Sequence, residues 1–364
     1  MGTVASAGAT AQSADVRTSI SELGDFDYAR RMNAARVVRR APAAEAVPAL
    51  IEAVTKHPDE FVRARTFVLL TGFNDSRTAG IARNALADRN DRLREKAYGW
   101  LELHPDPALI PVLTAALETE TAEFVRPALI RALSALDADT NVRARLIREV
   151  GRGLDIFRGA VIDALAARRA VYALDAIAAV AILDGPLQDD AVLALGRIGD
   201  SRAVATLAKI QTKSPVLGLT IRVATCVIRG DCTAERNELV RVVSAGGDGT
   251  RPAAEALSMM AELDDQAAFA ALVTSGDAAA AREDVAIAAT TVALRRPTQI
   301  LAWLEANPAA HERAVALLRD GFDMLEEDLA EEMFFATARA TYWRSSESSG
   351  MRNLTATLID KLEF

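Results

Sequence analysis

Four stretches of similar sequence decide the fold: DEFVRARTFV at 59–68, DRLREKAYGW at 91–100, EFVRPALIRA at 123–132 and DIFRGAVIDA at 155–164. Each begins with an acidic residue, continues with an apolar residue and an arginine, and then carries further apolar residues at helical spacing. The opening acids at 59, 91, 123 and 155 lie 32 residues apart each time. A fixed period of this length indicates a repeat protein built from pairs of helices.

The phrase extends beyond these four stretches. An earlier copy begins at Asp27, and weaker copies begin at Asp184 and Ser214. An aspartate or serine here predicts a helix N-cap, because its side-chain oxygen can accept hydrogen bonds from the free amides of the first turn. We call the acids at the full period, with the arginines that follow them, the acid–arginine ladder: Asp27, Asp59, Asp91, Glu123, Asp155, Arg31, Arg63, Arg94, Arg126 and Arg158.

A second helical segment lies between consecutive ladder acids, as in AVPALI at 46–51 and LIPVL at 109–113. Prolines 48 and 111 are tolerated only near the start of such a helix. The unit is therefore helix A, a short polar turn, helix B and a loop. The predicted A/B pairs are 13–23/27–40, 43–56/59–71, 75–88/91–103, 107–119/123–136, 139–152/155–168, 170–182/185–198, 200–212/215–229, 233–246/250–262, 264–274/280–295 and 297–305/309–320.

The pattern predicts an all-α fold, a right-handed α-α superhelix of about nine to ten helix pairs over 13–320. Residues 321–364 depart from it, with six acids from Asp323 to Glu332 followed by an aromatic-rich stretch. They predict a C-terminal helical cap, because an end repeat needs one polar face. Residues 1–12 are rich in alanine, serine and threonine and predict a disordered tail or the remnant of an export signal.

The phrase Asp-x-x-Val-Arg and the run AVLALGRIGDSRAV at 191–204 resemble HEAT repeats. The closer resemblance is to the HEAT-like repeats first associated with phycobilisome lyases; it covers 15–230 well and 231–310 loosely. It implies that helix B lines the concave surface and that ladder acids pair with ladder arginines of adjacent repeats. Members of this family are mostly interaction proteins, while a few are chromophore lyases, a hydroxylase or DNA glycosylases.

The composition narrows the function. Hydrophobic residues make up 51% of the chain but aromatic residues only 5%, which suits thin repeated layers of small side chains. The net charge of -8 makes nucleic acid an unlikely default partner. No apolar run reaches the ~18 residues that a membrane-spanning helix needs. We expect a cytoplasmic protein with no membrane partner, or an exported one if the N-terminal segment is the end of a signal peptide.

Few residues could carry chemistry. His57 and His104 precede prolines in predicted turns, where histidine favours a helix C-terminus, and no set of three or four metal ligands is evident. Cys226 lies in an apolar run and Cys232 in a turn, and both are predicted to be free thiols in a reducing compartment. The GGDG run at 246–249 lacks the context of a phosphate-binding loop. We therefore expect no enzyme activity, no cofactor and no metal site.

The remaining function is a non-catalytic protein–protein interaction scaffold or adaptor that binds another protein on the helix B surface. Arginine and tyrosine are enriched at such interfaces, so Arg36, Tyr98, Arg131 and Asp163, on two adjacent columns of helix B, are the predicted contacts. An ordinary solvated helix face is the alternative for these positions. For the whole chain, the alternatives are a chromophore-lyase-like enzyme or a DNA-glycosylase-like nucleic-acid binder that uses the helix B arginines.

Overall fold

The computed structural model describes residues 15–325 and 329–362. Within these residues the regular secondary structure consists of 22 α-helices and four short 3-10 helices, without a strand. The predicted all-α class is confirmed. The predicted tail or export-signal remnant at 1–12 lies outside the described residues.

The chain divides into two compact units. Unit 1 comprises residues 1–101 and 327–364, and unit 2 comprises residues 102–326. The C-terminal segment therefore belongs to the same unit as the first hundred residues. This division differs from the predicted one, which separated 321–364 from a continuous array over 13–320.

The described part of unit 1 contains eight helices, six from its N-terminal segment and two from its C-terminal segment. The last two residues of the sixth helix are counted with unit 2. The helices are α1 (15–22), α2 (Tyr28–Arg40), α3 (Ala43–Lys56), α4 (Glu60–Thr71), α5 (Thr78–Ala85), α6 (Asp91–Leu103), α21 (Leu329–Arg344) and α22 (Gly350–Leu362).

The C-terminal helix α21 contributes to the core of unit 1. It packs against α4, and Leu329 at its start joins the buried cluster that contains Phe67, Leu93 and Ala97. Gly99 on α6 permits this approach, since a Cβ built there would lie 2.8 Å from a methyl group of Leu329. Apolar side chains from distant parts of the sequence thus bury one another.

The described part of unit 2 contains 14 helices that follow the predicted pairs. They are α7 (Ile110–Thr119), α8 (Arg126–Ser134), α9 (Thr140–Glu149), α10 (Asp155–Ala167), α11 (Leu174–Ala181), α12 (Gln188–Ile198), α13 (Ala203–Leu207), α14 (Pro215–Arg229), α15 (Thr233–Ala245), α16 (Thr250–Glu262), α17 (Gln266–Ser275), α18 (Arg282–Arg295), α19 (Pro297–Ala306) and α20 (His311–Met324).

The even-numbered helices of unit 2 are the predicted B helices. Each contacts the next one along the chain from α8 to α20, and each packs on at least one odd-numbered neighbour. Small residues set the closest approaches. A Cβ built at Gly196 of α12 would lie 2.8 Å from the Cα of Ala224 in α14, so the two backbones nearly touch. The small apolar residues that dominate the composition allow this packing.

Two of the ladder acids cap the helices that follow them, as predicted. Asp27 accepts a hydrogen bond from the backbone amide of Arg30 at 3.1 Å. Asp59 accepts one from the amide of Phe61 at 2.8 Å. Both carboxylates satisfy amides that have no partner inside the helix.

At the third ladder position the predicted cap is wrong by one residue. Asn90, rather than Asp91, accepts from the backbone amide of Leu93 at 3.2 Å. The side chain of Asn90 also donates to the carbonyl of Glu60 in α4 at 2.7 Å. Asp91 is already the first residue of α6. Asn90 is therefore the N-cap of α6, and its side chain also links α6 to α4.

The predicted cap at the last ladder position, Asp155, is also wrong, and the helix at the fourth position starts later than its ladder acid. Helix α8 begins at Arg126, three residues after Glu123, and Pro127, which has no amide hydrogen, lies in its first turn. Asp155 is itself the first residue of α10. Its carboxylate accepts from Arg158 at 2.7 Å. The repeat period is regular here, but the helix starts shift relative to it.

The ladder arginines donate to backbone carbonyls of the segment that precedes their own helix. Arg31 donates to the carbonyl of Asp25 at 2.8 Å, and Arg94 donates to that of Asp88 at the same distance. A guanidinium offers five donors and can satisfy carbonyls near the end of the preceding helix. The other three follow the same pattern: Arg63 to Val54, Arg126 to Glu120 and Arg158 to Val150.

The ion pairs of the ladder differ from those implied by the HEAT-like resemblance, which joins ladder acids and ladder arginines of adjacent repeats. Arg63 pairs with Asp88, which is not a ladder acid. Arg158 pairs with Asp155 of its own helix. Each of these two guanidinium groups contacts a backbone carbonyl and a carboxylate at the same time.

Candidate functional site: a groove across four helices of unit 2

A groove of about 820 Å³ crosses one surface of unit 2. Its walls come from α10, α12, α16 and α18, which are all predicted B helices. Grooves of this size that combine apolar walls with a few charged groups are typical of binding sites. The groove therefore lies on the helix surface that the sequence analysis predicted to bind a partner.

One end of the groove is crossed by a network of four charged side chains, one from each helix. Arg197 of α12 donates to Asp163 of α10 at 2.9 Å and to Glu262 of α16 at 3.1 Å. Arg295 of α18 donates to Glu262 at 3.1 Å and lies 3.9 Å from Asp163. Two guanidinium groups and two carboxylates balance in charge. This end of the groove is neutral and links the four helices.

Glu262 is the most deeply buried member of the network, with 8% of its surface exposed. A carboxylate this buried remains charged only when cations and hydrogen bonds compensate it. Burial alone would lower the pKa of Arg295, but the carboxylates of Glu262 and Asp163 outweigh it and raise that pKa above its ordinary value. The Arg295 guanidinium therefore stays charged inside the groove.

The other end of the groove carries an excess of negative charge. Its lining residues come from the N-terminal halves of the same four helices. They provide five carboxylates and one guanidinium, and Arg158, which does not line the groove, pairs with Asp155, so three negative charges remain. The guanidinium already donates to one of the carboxylates at 2.9 Å. These charged residues are Asp155, Asp190, Glu255, Glu283, Asp284 and Arg251.

Asp190 lies against α10, where a Cβ built at Gly159 would be 3.5 Å from its carboxylate. Loss of water around this carboxyl raises its pKa, and the neighbouring charges of Asp189, Glu255 and Asp163 raise it further. Ionising a carboxyl beside other carboxylates is unfavourable. The negative charge of Asp190 is thus opposed by its surroundings, in contrast to the paired charge of Glu262.

Apolar side chains also line the groove. Ile156 is 75% exposed and shares the wall with Leu193 and Ile287. Leu154, two residues before Ile156, is 64% exposed. Exposed apolar side chains next to charged ones are a common feature of protein-binding surfaces.

The two predicted contacts in unit 2 have different surroundings. Asp163 lines the groove and belongs to the neutral network. Arg131 lies on α8, outside the groove lining, and pairs with Glu102 at 3.0 Å. Both side chains remain partly exposed. Of these two residues, Asp163 is therefore the one placed in the candidate site.

The other two predicted contacts lie in unit 1, and one of them needs correction. Tyr98 is only 2% exposed, so its ring belongs to the core and cannot contact a partner in this structure. Its column on α6 faces inward because Leu93, Ala97 and Leu101 of the same helix are buried. Arg36 is half-buried. Consecutive columns on a helix differ in exposure, and the sequence pattern did not show which of them faces the solvent.

Three residues of the network were not predicted: Arg197, Glu262 and Arg295. Each lies in the last turn of a B helix. The sequence contains this signal, a charged residue in the last turn of a B helix. However, α16 and α18 lie in 231–310, where the sequence matches the repeat only loosely. Their register could not be aligned with that of α10 from the sequence alone.

The prediction of free thiols is wrong, because Cys226 and Cys232 form a disulfide. The bond joins the last turn of α14 to the residue before α15. Gly230 lies between them in the left-handed conformation, with φ 84°. Glycine adopts this conformation readily and turns the chain back at the end of a helix, which brings the two sulfurs together.

Two further observations concern residues 15–325 and 329–362 only. No group of three histidine, cysteine, aspartate or glutamate side chains lies close enough to hold a metal ion. No helix is long and apolar enough to cross a membrane. His57, in one of the His-Pro turns, accepts a hydrogen bond from the backbone amide of Asp59 at 3.1 Å, as a turn residue would.

The function of the groove has to be inferred from its own chemistry. That chemistry is a neutral ion-pair network at one end, apolar walls and an acidic opposite end. Neither the models of known protein families nor the curated proteins give a match to this sequence.

Proposed function

We propose that this protein is a non-catalytic protein-binding scaffold and that the groove of unit 2 is its binding surface. The observation that carries the proposal is the groove itself, a cleft of about 820 Å³ across four helices with both apolar and charged walls. Protein interfaces combine an apolar centre with polar surroundings in this way. Repeat proteins made of helix pairs bind their partners on extended surfaces of this kind.

The contacts between successive even-numbered helices support a HEAT-like, right-handed superhelical arrangement for unit 2. In such an arrangement the B helices run side by side in the same direction. Their N-terminal halves then share one side of the groove and their C-terminal halves the other. This fits the separation of the acidic end from the neutral network.

The charge of the groove argues against the nucleic-acid alternative. Five carboxylates and one guanidinium at one end would repel a phosphate backbone rather than bind it. The chromophore-lyase alternative has a simple test, since a bound chromophore would give the purified protein absorbance in the visible range.

The disulfide supports the exported alternative over a cytoplasmic location. Disulfides form and persist mainly in oxidising compartments, and cytosolic thiols are kept reduced. The bond closes the loop between α14 and α15, and one of its two residues, Cys226, is only 5% exposed. A structural bond of this kind fits a protein that folds outside the reducing cytosol.

The experiment that tests the scaffold proposal compares two tryptophan variants in affinity capture from a lysate of the source cells. Gly159→Trp places a large side chain in the groove wall, where a Cβ meets only ordinary contacts of 3.4 and 3.5 Å. Gly218→Trp is the matched control, because it is also a helical glycine of unit 2 and its Cβ would face open space. Neither substitution needs unusual backbone angles.

We expect the parent and the control variant Gly218→Trp to capture one or more proteins that Gly159→Trp does not capture. Melting curves of the three proteins should agree, since both substitutions replace glycine with a better helix former. Equal capture by the two variants would place the binding surface outside the groove.

A further inference from the structure

We infer that the groove recognises a basic segment of its protein partner, whose arginine or lysine side chains bind at the acidic end and whose apolar side chains pack on Ile156. The inference rests on the proposed function and adds the chemical class of the partner. It assigns the acidic end, with Asp190, Glu283 and Asp284, as the part that selects the partner.

Charge is distributed unevenly along the groove. The neutral network uses its two guanidinium groups at one end of the groove, so they do not compensate the other end. There, Arg251 is engaged with Glu255 at 2.9 Å. Asp155 is paired with Arg158 of its own helix at 2.7 Å, whereas no ion pair joins Asp190, Glu283 or Asp284 to another residue that lines the groove. A cleft lined by one sign of charge attracts the opposite charge.

The groove already holds two guanidinium groups of the protein itself. Arg197 and Arg295 each contact carboxylates from two different helices, at 2.9 to 3.9 Å. The spacing of these helices therefore places carboxylates on both sides of one cation. The acidic end is built from the same four helices. An arginine from a partner would find carboxylates from several helices there, as Arg197 and Arg295 do in the neutral network.

The surroundings of Asp190 also favour a cationic ligand. Glu283 and Asp284 lie in the first turn of α18, and Asp190 lies in the first turn of α12, where the helix dipole stabilises negative charge. At Asp190, however, loss of water and the neighbouring charges of Asp189, Glu255 and Asp163 still oppose ionisation. A charged residue that destabilises the folded protein without a ligand is expected where a ligand of opposite charge binds.

The apolar walls make a polypeptide a better occupant than a small cation. Ile156, Leu193 and Ile287 line the same groove as the carboxylates. In the described residues, no three acids lie close enough to share one metal ion. A volume of about 820 Å³ accommodates several side chains. The structure therefore fits a segment that alternates basic and apolar residues.

The test uses the full-length protein and a fluorescein-labelled peptide in which arginine alternates with leucine and serine. Binding is followed by fluorescence anisotropy. The comparison peptide carries citrulline, which keeps the shape of arginine without its charge. The groove variant is Asp190→Asn/Glu283→Gln/Asp284→Asn. The control variant, Asp231→Asn/Asp248→Asn/Glu305→Gln, also removes three exposed acids of unit 2, and none of them lines the groove.

We expect the groove variant to bind the arginine peptide about tenfold more weakly than the parent does, since each exposed ion pair contributes modestly. The control variant should bind like the parent. Citrulline in place of arginine, or salt raised from ~50 to ~500 mM, should weaken parent binding at least as much. Melting temperatures of both variants should match or exceed that of the parent, so that a loss of binding cannot be a loss of folding.

Two results would overturn the inference. One is binding of the arginine peptide to the groove variant within about twofold of the parent value. The other is equal binding of the arginine and citrulline peptides to the parent. The scaffold proposal fails separately: if Gly159→Trp still captures the partners of the parent, the groove is not the binding surface. If a partner is lost from Gly159→Trp but still captured by the groove variant, the scaffold proposal stands and the proposed preference for a basic segment is wrong.

Discussion

Arg39 of α2 and Glu332 of α21 form an ion pair in the interior of unit 1. The Nε of Arg39 donates to Oε1 of Glu332 at 2.7 Å, and each side chain is 1% exposed. Glu331 lies 3.6 Å from the same guanidinium, and the ring of Phe335 lies 5.9 Å from it. The two residues are 293 positions apart in the sequence. The pair joins the C-terminal segment of the unit to its N-terminal segment.

Removing one partner of this pair should destabilise the protein strongly. Glu332→Leu removes the carboxylate that accepts from the buried Arg39 guanidinium at 2.7 Å, and we expect a loss of about 3 kcal/mol in the free energy of unfolding. The double variant Arg39→Met/Glu332→Leu should recover part of this loss, because it also removes the buried cation, while Glu331 loses the same guanidinium. Urea unfolding followed by circular dichroism measures both. A double variant that is no more stable than Glu332→Leu would contradict the prediction.

The corrected start of α6 predicts a large effect on stability at Asn90 and a small one at its neighbour Asp91. Asn90→Ala removes the helix cap and the hydrogen bond to the Glu60 carbonyl, so it should cost about 1 to 2 kcal/mol. Asp91→Ala should change stability by less than about 0.5 kcal/mol, as for an ordinary surface site. Thermal melting of both variants gives the comparison. If Asp91→Ala lost more stability than Asn90→Ala, Asp91 rather than Asn90 would be the cap of α6.

The surroundings of Asp190 predict a stability gain on removing its charge. Its pKa in the folded protein is raised by loss of water and by neighbouring carboxylates. Ionisation therefore disfavours the folded state at every pH above this raised pKa. The penalty shrinks as the pH falls through the folded value towards the lower unfolded one, where the carboxyl is protonated in both states.

Asp190→Asn should consequently melt at a higher temperature than the parent at pH 7. The gain should disappear in acid, between the folded and the unfolded pKa of the carboxyl. Melting curves across this pH range provide the measurement, with Asp248→Asn as an exposed control outside the groove. A variant that is less stable than the parent at pH 7 would show that Asp190 makes a favourable interaction in the folded protein.

The disulfide predicts a protein without free thiols. Denatured but unreduced protein should give no reaction with a thiol reagent, and reduced protein should give two thiols per chain. Reduction should lower the free energy of unfolding by about 2 kcal/mol, because the bond closes a short loop. The Cys226→Ala/Cys232→Ala variant is the control, since its stability should not respond to reductant. Two reactive thiols in the unreduced protein would contradict the bond.

Much of the local structure was predictable because its causes are local. Helices form where apolar residues recur at spacings of three and four, and these spacings are read directly from the sequence. The cap at Asp59 follows from an acid placed just before such a pattern. The period alone did not fix the first residue of each helix, so Asn90 replaces Asp91 and Pro127 delays the start of α8.

The candidate site depended on the tertiary structure. Asp163 was predicted from its column, but its partners Arg197, Glu262 and Arg295 lie 34 to 132 positions further along the chain. Their meeting depends on how far each helix pair rotates against the next one. That rotation results from many packed side chains and leaves no periodic trace in the sequence.

The sequence by itself determined the helical class, the approximate positions of the helices and the caps at Asp27 and Asp59, because backbone hydrogen bonds and side-chain spacing act over a few residues. Tertiary structure alone decided that Tyr98 is buried, that Cys226 and Cys232 bond, and that Arg39 meets Glu332. It also gathered the carboxylates of four helices into one groove. The physical reason is that burial and charge pairing depend on distances in space, which only the packing of the helices sets.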